Sequence, residues 1–147
     1  MKHSDGEEQV ASLRLRWALL GQLALDGSDK LASPKGPNSP GLYKFCIAQS
    51  GVVRRIYIGE SDNLARRFSH YRNPGPSQQT NIRMNRILTD HLREGAVLTV
   101  LTITQDSWTV MASEEIRANL SSKLVRRMFE HFAAAMHNDS EVQLLNL

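Results

Sequence analysis

The sequence predicts a small α+β domain: a three-stranded mixed or antiparallel β-sheet flanked by helices, with an extra amphipathic helix at the N-terminus. Three observations carry this prediction. Leu42–Ile47 and Val52–Ile58 are strand-like runs separated by Gln49-Ser50-Gly51, which makes a β-hairpin the economical reading. Val97–Thr104 is a third, β-branched and apolar run, expected at the centre of the sheet. Apolar residues at three- and four-residue spacing mark helices before, between and after these strands.

In chain order, Glu7–Leu25 places Val10, Leu13, Trp17, Leu20 and Leu23 at helical spacing, so residues 1–25 are read as an N-terminal amphipathic helix. Residues 26–40, rich in Ser, Pro, Gly and Asp, read as a linker or surface loop. The domain proper then runs over 41–147. Ser61-Asp62 is positioned to cap a helix to about Tyr71, which Asn73-Pro74-Gly75-Pro76 ends. Thr80-Asn81 opens a second helix through about Arg93, with Ile82, Leu88 and Leu92 inward and Gly95 as its stop. Ala112–Asn119 reads as a short helix. Lys123–Met136 is a longer one, with Val125, Met128, Phe129, Phe132 and Met136 as its buried stripe. The apolar tail VQLLNL returns to the sheet or packs beside it.

Composition bounds the function classes. The chain has 147 residues, 41% hydrophobic and 22% charged, a size and balance that fold as one core without disulfides. Its single cysteine, Cys46, excludes a disulfide framework or a Cys-based zinc module within one chain. No apolar run approaches the roughly 18 residues of a membrane span, and the start lacks a secretory pattern, so a cytoplasmic protein is expected. Eighteen Lys and Arg against fifteen Asp and Glu leave a net charge of +3, which permits a polyanionic partner without demanding one.

Chemistry concentrates around two tripeptides, Gly41-Leu42-Tyr43 and Tyr57-Ile58-Gly59. A hairpin turning about Ser50 sets Tyr43 and Tyr57 opposite each other, about 5 Å apart at Cβ, where their hydroxyls can position water or phosphate oxygens. Plain packing explains two strand tyrosines equally well. On the following helix Leu64, Arg67, Phe68 and Tyr71 share one side. Leu64 and Phe68 would anchor it and leave Arg67 beside the hairpin, a place suited to a phosphate. The alternative for Arg67 is an ordinary surface ion pair.

With GLY at 41–43, YIG at 57–59, ESDNLARRFSHY at 60–71, an FE pair at 129–130 and an LN pair at 145–146, the sequence resembles the GIY-YIG nuclease family. The resemblance covers about Pro40 to Leu147. It implies a metal-dependent endonuclease that hydrolyses phosphodiester bonds in DNA, with RNA left open. Carried over residue by residue, Tyr43 and Tyr57 are the motif tyrosines that orient or deprotonate water. Arg67 stabilises charge on the scissile phosphate, Tyr71 assists the base, Glu130 is the metal-ligating carboxylate and Asn146 closes the site. One carboxylate with waters and substrate phosphate suits Mg²⁺ or Mn²⁺.

Competing readings stand beside these. Arg126 and Arg127, four and three residues before Glu130, would also explain it as a surface ion pair. Glu114 and Glu115 are fallback carboxylates, and His70 and His131 flank proposed site residues. Glu60 brings an extra negative charge where several relatives carry Lys or Ser, and the spacing from Glu130 to Asn146 is long. Both features motivate an alternative: a weak or inactive GIY-YIG-like module that binds nucleic acid or a protein partner. Between Arg54 and Glu94 eight arginines face four acids, an excess that makes this stretch the expected electrostatic footprint. Arg55, Arg66, Arg72, Asn81, Arg83 and Arg86 are its nucleic-acid-binding candidates, with Thr80–Arg86 able to read base edges. The Trp17 helix and its linker are the expected docking segment for a partner or a second copy that supplies target specificity.

Overall fold

The computed structural model describes residues 6–9, 12–105, 109–111, 115–116, 119–137 and 141–146. Its elements in chain order are β1 (Ser12–Arg14), β2 (Ala18–Leu25), β3 (Leu31–Ala32), β4 (Gly41–Gln49), β5 (Val52–Ser61), α1 (Leu64–Arg72), α2 (Gln79–Arg93), β6 (Val97–Thr104), β7 (Thr109–Met111), β8 (Glu115–Ile116), α3 (Lys123–Ala135) and β9 (Gln143–Leu144). One sheet has six strands in the order β3-β2-β6-β4-β5-β9, and β1, β7 and β8 form a second, three-stranded sheet. The fold is α+β, but the sheet is twice the predicted width.

The extra width comes from the N-terminus. The predicted helix over Glu7–Leu25 is instead β1 and β2, and β2 pairs antiparallel with β6. Leu13, Leu15 and Trp17 are half-buried while Arg14 and Arg16 between them are exposed, the period-two signature of extended chain. A helix would put Leu13, Trp17, Leu20 and Leu23 on one face. The structure divides them between the two faces of the sheet: Leu20 and Leu23 join one core, Leu13 and Trp17 the other. Pairing with the long strand β6 satisfies backbone groups that would otherwise form an open sheet edge, and this tertiary gain overrides the helical spacing. Trp17 lies under the Lys44 ammonium, 4.6 Å from its ring centroid, so it packs within the fold and is not the centre of a docking helix.

The segment 26–40 is mostly loop, as predicted, yet it is tied down. Leu31 is buried, and the N–H groups of Leu64 and Ala65 donate to the carbonyls of Ser39 and Pro37, both 3.0 Å. These bonds satisfy two orphan donors of α1 and fix where that helix starts. Its N-cap is Asn63, one residue past the predicted Ser61-Asp62, with Oδ1 accepting from the Arg66 N–H at 2.9 Å.

Helices α1 and α2 cover one face of the large sheet. There Tyr43, Phe45 and Ile47 of β4 pack with Leu64, Phe68, Tyr71, Met84 and Leu88. Helix α3 covers the opposite face through Phe129, which packs with Leu42, Ile103 and Leu120. Its apolar stripe is narrower than predicted: Met128 and Met136 are exposed. The strand β9 returns the tail to the sheet, parallel to β5 at Arg55 and Ile56. The short helix predicted over Ala112–Asn119 is replaced at Glu115–Ile116 by β8; residues 112–114 and 117–118, Glu114 among them, lie outside the described residues.

The hairpin register differs from the predicted one. Ser50 and Gly51 both take positive φ (53° and 79°) and close a two-residue turn, so Gln49 pairs with Val52. A bulge between Ile47 and Ala48 shifts the pairing again. Beyond it Phe45 opposes Tyr57, and Tyr43 opposes Gly59, so the two motif tyrosines are diagonal neighbours and not a direct pair. The register explains both glycines of the tripeptides. A Cβ on Gly59 would lie 2.3 Å from the Cζ and hydroxyl oxygen of Tyr43, and one on Gly41 would lie 2.4 Å from the Ile103 carbonyl oxygen.

Gly59→Ala and Gly41→Ala are therefore expected to lose about 1–3 kcal/mol in urea unfolding, because neither a buried ring nor a strand backbone yields space cheaply. An unchanged midpoint for both would contradict this register.

Candidate active site

Beyond Ile58 the outer edge of β5 has no strand partner among the described residues. Helices α1 and α3, on opposite faces of the sheet, approach each other across that edge. The cleft between them, about 340 Å³, is lined by Tyr43, Tyr57, Gly59 and Glu60 from the hairpin, Arg67 from α1, and Arg127, Glu130 and His131 from α3. Of the residues proposed from the sequence, Tyr43, Tyr57, Arg67 and Glu130 are thus brought to one place.

Tyr43 is fully buried at the floor of this cleft. Its ring is caged by Phe45, Phe68 and Tyr71 at centroid distances of 5.2, 5.6 and 5.9 Å. The Tyr43 and Tyr71 hydroxyls are hydrogen-bonded to each other. Tyr71 is buried beneath Tyr43 and does not line the cleft. Burial, reinforced by the neighbouring phenols, drives the Tyr43 hydroxyl well above the usual 10, and the Arg67 charge only partly opposes this. Tyr71 is raised too, again chiefly by burial. Both phenols are therefore neutral hydrogen-bonding groups at physiological pH and not resident phenolates. Tyr57, 6.3 Å from Tyr43 between ring centroids, is the half-buried phenol that opens to the cleft.

Helical spacing positions Arg67. Leu64, Phe68 and Tyr71 point into the core, so Arg67 emerges at the edge of that stripe, half-buried, with Tyr43, Tyr71 and Glu60 as its electrostatic neighbours. It carries a permanent guanidinium charge into a place where water is already thinned.

On α3 the decisive residue is Arg126, which is only 4% exposed. Its Nε donates to Glu60 Oε2 at 2.7 Å, and its Nη1 donates to the carbonyls of Leu120 and Ser121 at 2.9 and 3.1 Å. Arg126 thus serves Glu60 and not Glu130, which replaces the i,i+4 surface pair expected from spacing alone. It thereby gives the carboxylate of Glu60 a close cationic partner. With Arg126 turned inward, Arg127, Glu130 and His131 face the cleft. Burial raises the Glu130 carboxyl above the usual 4.5, and Glu60 raises it further, against the opposing charges of His131, Arg127 and Arg67.

Asn146 sits elsewhere. Its Oδ1 accepts from the Ile58 N–H at 2.9 Å and its Nδ2 donates to the Ile58 carbonyl at 2.5 Å, so it brackets the middle of the Tyr57–Gly59 tripeptide from the sheet edge. The arginine-rich footprint is dispersed and mostly occupied. Arg55 Nη1 donates to His91 Nε2 at 3.1 Å, Arg66 pairs with Asp62, and Arg72 pairs with Asp26 at 2.5 Å. Arg83 Nη2 donates to the Leu145 carbonyl at 3.3 Å. Asn81 Nδ2 donates to Gln78 Oε1 at 3.1 Å. Arg86 lines a separate polar cleft that also contains Asp29 and Asp90. Sequence reasoning missed Arg127 as a lining residue. The available signal was its position three before Glu130, hence on the same helical side.

A half-buried carboxylate held near a like charge is a cost to the folded state. Because the folded-state value of Glu130 lies above the ordinary 4.5, its contribution to stability is complete below that value and is lost as pH rises through the folded value. In the absence of divalent cations, Glu130→Gln should melt higher than the parent at pH 7, with the two curves converging below about pH 4.5. A lower melting temperature for the variant at pH 7 would oppose the electrostatic picture. Arg126→Ala, which strands Glu60 without its partner, should instead cost about 3–5 kcal/mol in denaturant unfolding.

No protein-family model and no curated protein matches the sequence. Among solved structures the fold is similar to that of bacteriophage T4 EndoII, in a structure of one of its point mutants. The two share a TM-score of 0.51 and 15% sequence identity, over 84% of this chain and 92% of that one. At this identity the likeness is one of fold.

Proposed function

We propose that the chain is a divalent-metal-dependent endonuclease of the GIY-YIG type that hydrolyses phosphodiester bonds in DNA through Tyr57, Arg67 and Glu130. The observation that carries this reading is the convergence of a strand phenol, a helical guanidinium and a helical carboxylate, from three separate elements, on one cleft. Similarity of fold to a phage endonuclease supports it.

In this reading Arg67 donates to the non-bridging oxygens of the scissile phosphate, and its bond strengthens as negative charge builds on the phosphorane-like transition state. Tyr57 holds the attacking water through its hydroxyl. The neutral Tyr43 hydroxyl, tied to Tyr71, keeps the cleft floor rigid and supplies a donor beside the same oxygens. Water oxygen adds to phosphorus and releases a proton to solvent past the Tyr57 hydroxyl. The bond to the leaving oxygen breaks with its electron pair, and that oxygen takes up a proton from solvent as the leaving group departs on the far side.

Glu130 fits a hard divalent cation. Its carboxylate opens to the cleft and is kept from comfortable ionisation by burial and Glu60, a penalty a cation would relieve. Among the described residues no cluster of three or more His, Cys, Asp or Glu offers an all-protein site, so water and substrate oxygens would complete the coordination. Mg²⁺ or Mn²⁺ held there would act as a Lewis acid on the phosphate. Glu60, one of the two features that motivated an inactive-module alternative, is paired with Arg126.

The test is nicking of supercoiled plasmid in Mg²⁺, Mn²⁺ or EDTA. Wild type should convert plasmid only with metal. Arg67→Ala and Glu130→Gln, each checked for native circular dichroism, should fall by about 10²–10³-fold or more. Full activity in either folded variant overturns the site, and plasmid left intact under every metal, together with intact branched and damaged oligonucleotides, overturns the function.

A further inference from the structure

We infer that the DNA strand leaves the catalytic cleft along a second groove, between α1 and the start of α2, which seats a phosphodiester next to the scissile one. The inference rests on the proposed nuclease reading and adds the path of its substrate. Arg67 is the common wall of two cavities: the catalytic cleft and a groove of about 490 Å³ lined further by His70, Gln78, Gln79, Thr80 and Asn81. A strand whose scissile phosphate lies against Arg67 therefore meets this groove with its next phosphate.

Lining chemistry favours a polyanion there. The groove presents a guanidinium, an imidazole, three amides and hydroxyls, with no carboxylate. His70 has no hydrogen-bond partner among the described residues. Gln78 Oε1 is engaged by the Gly75 N–H at 2.9 Å and by Asn81 Nδ2 at 3.1 Å, so the Gln78 amide is held in place with its own N–H groups left over. Such groups bind phosphate oxygens without reading sequence.

Among the described residues a second polar cleft is a poor competitor. It is lined by Asp29 and Asp90 as well as Arg72, Arg86 and Arg93, and Arg93 is paired to Asp29 at 2.6 Å. Three of the eight arginines that the sequence offered as a footprint, Arg66, Arg72 and Arg93, are paired with Asp62, Asp26 and Asp29. Positive charge left near the cleft lies at Arg67, with Arg127 on the α3 side. The groove continues from the first of these.

Two exposed positions allow a test that leaves the fold alone. Gln79→Glu and Thr80→Glu place a carboxylate in the groove, yet an acid in the first turn of α2 favours the helix itself. Gln49→Glu, at the exposed hairpin end, adds the same charge away from it. Binding of a fluorescein-labelled DNA duplex with a single-stranded tail is measured by anisotropy on the Glu130→Gln background, where cleavage does not interfere. Each groove variant should raise Kd about tenfold and flatten the salt dependence, against less than about twofold for Gln49→Glu. His70→Ala should also weaken binding.

Groove variants that bind like the Gln49→Glu control, while wild type cleaves and Arg127→Ala weakens binding, would send the strand along α3 and overturn this inference alone. Absence of both cleavage by wild type and DNA binding by every variant would overturn the nuclease reading, and the groove with it.

Discussion

The architecture of this protein depends on one close approach: the ring of Tyr43 lies over Gly59 on the neighbouring strand, in space that any side chain would fill. That contact exists because a two-residue turn at Ser50-Gly51 and a bulge after Ile47 set the hairpin register. With the ring seated there, its hydroxyl reaches Tyr71, and α1 must lie where Phe68 and Tyr71 can close the aromatic cage. Arg67 then has only one place to emerge. The backbone register of a hairpin thus determines where a guanidinium enters a cleft formed partly by another helix.

Charge is partitioned with similar economy. Glu60 and Arg126 form an inner pair whose side chains are 13% and 5% exposed, and Arg126 makes two further bonds to backbone carbonyls. A buried pair of this kind adds little net stability, but it is costly to break and so holds geometry. Here it joins the end of β5 to the start of α3. Glu130, one turn further along α3, has no inward partner among the described residues and faces the cleft under the influence of burial and Glu60. The folded state tolerates that discomfort, as sites that hold cations or polarise substrates commonly do.

The buried tyrosines show how surroundings change the meaning of a residue. A phenol pair in a nuclease-like motif reads as a source of base, yet Tyr43 and Tyr71 are driven the other way by desolvation. Their hydroxyls serve position. Asn146 likewise holds position at the sheet edge, where both ends of its amide bond the Ile58 backbone between Tyr57 and Gly59. Among the described residues no helix is long and apolar enough to cross a membrane.

Local pattern alone determined the hairpin, the β6 strand, α1, α2 and α3, because each has a clear period or a strong stop signal. It also placed Tyr43, Tyr57, Arg67 and Glu130 on the elements that carry them. Tertiary structure decided the rest. Leu13, Trp17, Leu20 and Leu23 fit a helical period, but an open edge on β6 made strand pairing the better use of that segment. Arg126 and Glu130 fit an i,i+4 pair, but Glu60, close in space and distant in sequence, captured the arginine. The arginines of 54–93 summed to a footprint that the fold then scattered among Asp26, Asp29, Asp62 and His91. Spacing along the chain reports neighbours on one element; which edge needs a partner, and which charge finds which, depends on elements that meet only after folding.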